Sequence, residues 1–82
     1  MVHGLVQGVG FRYTVRSGAR SRGVAGWVRN RPDGTVEAVF EGAPDAVESM
    51  IRASEKGPRA ASVERVEVAE EEPEGLTGFR VR

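Results

Sequence analysis

The 82-residue sequence predicts an α+β domain: a ferredoxin-like split βαβ sandwich with two helices on one face of an antiparallel sheet. Three observations lead there. Apolar residues alternate between helical and strand spacing in the order β-α-β-β-α-β, followed by a short last strand. Gly and Pro punctuate the chain at each change of period. Right-handed crossovers then fold that order into a single sheet with both helices on the same side.

Met1-Val2-His3 reads as the stub of a first strand that runs into a glycine loop. The first helix spans about Phe11 to Arg22, with Phe11, Val15 and Ala19 at i, i+4 and i+8 facing the sheet. Gly18 within it costs about 1 kcal/mol against Ala, and Gly23 suits the left-handed position that ends it. Val24 to Arg31 reads as a strand containing Trp27, for which a core position is expected, with substrate contact as the alternative. Arg31-Pro32-Asp33-Gly34 is a turn, and Thr35 to Glu41 alternates as a half-buried strand. Pro44 opens a second helix whose inward stripe is Val47, Met50, Ile51 and Ser54, and Gly57-Pro58 stops it. Val63, Val66 and Val68 mark another strand, Glu70 to Gly75 a solvated acidic loop, and Gly78 to Arg82 the short final strand.

One domain, residues 1–82, accommodates all of this, with a modest core. There is no cysteine and only one histidine, His3, so disulfides, thiol catalysis and Cys- or His-built metal centres are not expected. No apolar run approaches a membrane span and no signal peptide is visible, which makes the cytoplasm the expected location. The net charge of zero hides an asymmetry. Residues 1–31 carry six arginines and no acid, whereas residues 32–82 carry twelve acids and six bases. An electropositive face that gathers a small anion is one reading. Arg16, Arg20 and Arg22 are expected on a solvated helix face.

The stretch Gly4-Leu5-Val6-Gln7-Gly8-Val9-Gly10-Phe11-Arg12 carries the chemistry. Three glycines in seven residues suit a backbone that curls and approaches something closely. Such a loop feeding a helix N-terminus turns unpaired N–H groups and the positive end of the helix dipole into one concavity. Arg12 at its lip adds a planar fork of donors matched to phosphate or carboxylate. The pattern fits an anion cradle, and equally a structural turn before a helix. Neither a Walker motif nor G-x-G-x-x-G is present. Asn30, at the end of a strand before a turn, reads either as a turn-capping residue or as a neutral amide able to hold a water by accepting and donating at once.

Gly4-x-Val6-Gln7-Gly8-Val9-Gly10-Phe11-Arg12, together with Gly26-Trp27-Val28-Arg29-Asn30-x3-Gly34-x-Val36-x5-Gly42, resembles the two signature segments of the acylphosphatase family. The resemblance implies hydrolysis of small acyl phosphates to carboxylate and inorganic phosphate, with no metal or other cofactor. It gives Arg12 the role of clamping the phosphate oxygens. The backbone N–H groups of Gln7, Gly8, Val9, Gly10 and Phe11 take the remaining charge, and Asn30 orients the attacking water. Gln7 and Tyr13 are expected to support the cradle or the surface rather than to react. Family members usually carry several strand residues before the position of Gly4, so the first strand here is shortened. Because that strand lies inside the sheet, its neighbours' edges are expected to be partly unpaired. A monomer is expected, with dimerisation or strand exchange opened by the short strand. A non-catalytic phosphate-binding or regulatory module is the alternative function. RNA binding is not expected, since the central strand Thr35 to Phe40 offers one Phe among acids, and no nucleic acid or membrane partner is implied.

Overall fold

Five strands form one mixed sheet in the order β4-β1-β3-β2-β5 in a computed structural model that describes residues 1–82. The elements are β1 (Val2–Leu5), α1 (Phe11–Ser21), β2 (Ala25–Asn30), β3 (Val36–Glu41), α2 (Pro44–Lys56), β4 (Ser62–Val66) and β5 (Phe79–Val81). The order and the two helices match the sequence reading. The sheet is not wholly antiparallel, however: β2 and β5 run parallel, with Gly26 opposite Phe79 and Val28 opposite Val81. The cause is the route of the chain. β4 ends at one edge of the sheet, and residues 67–78 cross at that end to the far edge. They deliver β5 where β2 also begins.

The α1 stripe behaves as its spacing requires. Phe11, Val15 and Ala19 are all buried, and they join Val2, Val6, Val24, Val28, Val36, Met50 and Phe79 in one core. Burying a ring such as Phe11 contributes about 1.5–3 kcal/mol. α2 starts at Pro44, with Asp45 in its first turn and Lys56 in its last, both favourable to the helix dipole. Only Met50 and Ser54 of its expected inward stripe are buried; Val47 and Ile51 are half-buried.

β1 explains that difference. The strand continues past His3 to Leu5, with an irregularity between His3 and Gly4, and pairs with β4 at four positions. Against β3 it pairs only at Val2–Val36. Beyond that pair, β3 has no strand on its β1 side. An open groove of about 590 Å³ remains there, lined in part by Ala38, Phe40, Val47, Ile51 and Val66.

Two further expectations, for Trp27 and Val68, are corrected. Trp27 lies outside the core: it is half-buried, with the Arg29 and Arg82 guanidinium groups 5.5 and 4.4 Å from its ring. The residue alternates with buried Gly26 and Val28 along β2, so strand geometry turns it to the face opposite the helices. Arg20 and Arg22 are exposed, as expected, and each also makes a tie between elements. Arg20 donates to the Phe79 carbonyl at 3.0 Å, and Arg22 donates to Ser49 Oγ at 2.8 Å, so they tie α1 to β5 and to α2. Val68 falls beyond the end of β4 and is exposed.

Candidate active site

The loop between β1 and α1 is staked at both ends. Val6 and Phe11 are 1% and 2% exposed, while Gly8 and Gly10 between them face solvent. Gly8 and Gly10 have φ of 74° and 78°, and no other residue of the loop has a positive φ. A Cβ at either glycine would meet nothing within 4 Å, so it is the dihedral and not space that selects glycine. Alternating signs of φ along Gln7-Gly8-Val9-Gly10 turn successive N–H groups toward one side, the geometry of an anion-binding nest.

The N–H groups of Gln7 to Gly10 donate to no protein acceptor. Those of Phe11, Arg12 and Tyr13 lie in the first turn of α1, where no intrahelical partner exists. No side chain caps this end and no acid occupies its first turn. Arg12, second residue of α1, is half-buried and has no carboxylate within ion-pair distance. The loop, the helix terminus and Arg12 therefore present donors whose charge nothing in the protein neutralises. Tyr13 is exposed and stacks with Arg16, whose guanidinium carbon is 4.9 Å from the ring.

Asn30 is the last residue of β2, opposite Val36 in the ladder. Its Oδ1 is buried and has no hydrogen-bond partner, and the same holds for Nε of the adjacent Arg31. A buried polar atom left unpaired costs roughly 1–3 kcal/mol. An acceptor at this place therefore favours a donor brought from outside the protein.

The structure brings the loop against the β2–β3 turn. Gln7 Nε2 donates to the Arg31 carbonyl at 2.7 Å and to the Thr35 carbonyl at 3.0 Å. Those carbonyls also close the turn, accepting from Gly34 N at 3.1 Å and Arg31 N at 2.9 Å. Within the turn, Asp33 accepts from Thr35 N at 3.0 Å and from Thr35 Oγ1 at 2.6 Å. These two bonds hold the Asp33 carboxyl below its ordinary range. Arg29 and Arg31 both reach Glu37 Oε1, at 2.6 and 3.3 Å. Burial pushes the Glu37 carboxyl up, but the two guanidinium groups outweigh it and the group stays below its usual value.

Sequence reasoning named Arg12, Asn30 and the loop but did not foresee this bracing by Asp33, Thr35 and Glu37. An available signal was Asp33 two residues before Thr35, the spacing at which an Asx side chain bonds its own backbone. No group of three or more His, Cys, Asp or Glu side chains is placed to hold a metal ion. No helix is long and apolar enough to cross a membrane.

Comparison with known proteins identifies the family. The Acylphosphatase family model matches residues 1–81. The chain belongs to the acylphosphatase family. It is 60% identical over 80 residues to an acylphosphatase of Thermococcus kodakarensis, covering 98% of this chain and 88% of that one. It is likewise 60% identical over 81 residues to an acylphosphatase of Trichormus variabilis, covering 99% and 80%. Among solved structures, the acylphosphatase of Bacillus subtilis superposes with a TM-score of 0.95 at 41% identity, covering 99% of this chain and 91% of that chain. The mixed five-stranded sheet with its two helices is thus the fold of acylphosphatases.

Proposed function

We infer that the hydrolysis of acyl phosphates, the activity of the acylphosphatase family, is carried in this chain by the Gln7–Phe11 cradle, Arg12 and Asn30. The observation that supports this most is the set of N–H groups around Gly8 and Gly10, which have no protein acceptor and sit beside an arginine with no acid partner.

The chemistry suits such a site. Water attacks phosphorus, a P–O bond to that water forms, and the P–O bond to the acyl oxygen breaks. The electron pair leaves with the carboxylate. Charge is spread over the equatorial phosphate oxygens, so stabilisation and positioning supply most of the acceleration. The nest and the Arg12 fork supply the donors, fixed in advance and needing no reorganisation. The carboxylate is a good leaving group and needs no general acid. A phosphate oxygen of the substrate accepts the proton lost by the water. Asn30 Oδ1, a buried acceptor without a partner, takes one O–H of that water and leaves its lone pair to face phosphorus.

Benzoyl phosphate hydrolysis in EDTA by wild type and Asn30→Ala, with far-UV circular dichroism on both, tests the assignment. Turnover that survives EDTA and collapses in folded Asn30→Ala is the expected outcome. A folded Asn30→Ala enzyme with wild-type turnover would remove Asn30 from the reaction. Folded wild type that binds phosphate without turnover would make the site a binding module.

A further inference from the structure

The cradle and the water-holding amide stand on different elements, and hydrogen bonds from one side chain span the gap between them. Gln7 has its backbone in the cradle, while its Nε2 divides both protons between the Arg31 and Thr35 carbonyls. We propose that Gln7 is a positioning residue: its side-chain amide fixes the distance between the phosphate cradle and Asn30, and so sets turnover without holding the substrate. The proposal rests on the roles given above to the cradle and to Asn30.

Three features of the structure support it. First, no other hydrogen bond joins the segment from Val6 to Gly10 to the turn from Asn30 to Thr35. Second, the two acceptors are the carbonyls that the turn itself uses to close, so the amide grips the turn at its base. Arg31, which supplies one of them, directly follows Asn30 in the chain. Third, the turn is already rigid, since Asp33 pins Thr35 at both backbone and hydroxyl. These two bonds are what hold the turn against the cradle, so their loss lets the turn, and Asn30 at its base, shift relative to the cradle. The cradle's own shape depends on Val6, Phe11 and the dihedrals of Gly8 and Gly10, none of which uses the Gln7 amide.

The chemistry of the side chain follows from its task. Two carbonyl oxygens need two protons from one small group, and a primary amide nitrogen provides them without a charge. Methionine at this position has similar length and no proton to give. Glutamate has the right shape but faces two carbonyls with a carboxylate, which raises its pKa. Only its protonated form can donate, and then to one carbonyl.

The test is a double-mutant cycle with Gln7→Met and Asn30→Ala, read as kcat, KM and the inhibition constant of inorganic phosphate. Gln7→Met should lower kcat by about 10- to 100-fold, the scale of a displacement near 1 Å. KM and phosphate inhibition should stay within about 3-fold, because the donors to phosphate remain. In the Asn30→Ala background the same substitution should add nothing further. Gln7→Glu gives a second reading if Gln7→Met folds poorly: its kcat should recover as pH falls and the carboxyl protonates, with no such recovery in wild type. Equal and independent losses from the two substitutions would overturn the proposal. So would weakened phosphate inhibition with kcat intact, or a Gln7→Glu profile parallel to that of wild type. Wild-type turnover in folded Asn30→Ala is a different result, since it removes the water-holding role and the proposal with it.

Discussion

The two ends of β3 are held in opposite ways. At the Val36 end, Thr35 and Val36 are buried, Asp33 pins the turn, Gln7 grips it from the neighbouring loop, and Arg29 and Arg31 converge on Glu37. At the Glu41 end the β1 side is open, and a groove of about 590 Å³ runs between β3 and the segment after β4. There a single carboxylate, Glu41, accepts from Glu74 N, Gly75 N and Leu76 N at 3.2, 2.9 and 3.3 Å. The braced end is the one that carries the candidate site. A reaction accelerated by fixed donors requires those donors in place before substrate arrives, whereas the far end can be loosely held without touching the chemistry. Local stability is expected to differ accordingly along one strand.

The largest expected effect separates function from stability at the braced end. Arg12→Ala should lower kcat/KM by roughly 10²–10³ or more, the scale for removing a donor aimed at developing charge. Arg12 makes no ion pair in the protein, so the melting temperature should stay close to that of wild type. Benzoyl phosphate kinetics beside thermal denaturation measure both. Retained activity would mean that the braced end does not owe its catalysis to Arg12, and that the comparison of the two ends is not one of function.

The next effect is the mirror image. Glu41→Ala should leave kcat and KM unchanged and lower stability by about 1–3 kcal/mol, because three amides lose an acceptor that is charged. The lower part of that range is expected, since these bonds are exposed or only partly buried. Hydrogen exchange should show Glu74, Gly75 and Leu76 losing protection while Arg31 and Thr14, whose amides close the turn and open α1, keep theirs. Loss of protection at Arg31 would show that the two ends of β3 are coupled and do not behave as separate regions.

The same contrast governs what the sequence disclosed. Helices and strands were legible because Phe11, Val15 and Ala19 keep a helical period and because Gly23, Pro44 and Gly57 mark ends. The cradle was legible because glycines without helical or strand use must serve a bend. The parallel pairing of β5 was not, since strand direction depends on the path of residues 67–78, which carry no period. Trp27 misled because its size suggests a core, while the parity of β2 sends it to the open face. The Gln7 bridge was invisible for a further reason: it joins positions 24 and 28 residues apart through backbone carbonyls, which no residue type signals. The Glu41 contact with residues 74–76 was hidden in the same way, and the acidic stretch around it read only as solvated.

The smallest effect tests how far the bracing of the turn depends on charge. The Asp33 carboxyl is held below its ordinary value by its bonds from Thr35, so its folded pKa lies under its unfolded one. Linkage then fixes the sign: its contribution to stability is complete above the unfolded value of about 4, and it is lost as pH falls through the folded value. Asp33→Asn should therefore lower the melting temperature slightly at neutral pH and converge with wild type in acid. Glu37, lowered by Arg29 and Arg31 against its burial, should lose its contribution over the same acid range, so Asp33→Asn keeps some pH dependence of its own. Melting curves of both proteins from neutral pH down to about pH 2.5, below the ordinary carboxylate range, check this. A gap between them that widens as pH falls would mean that the Asp33 carboxylate does not brace the turn, and that Gln7 grips a loop already mobile.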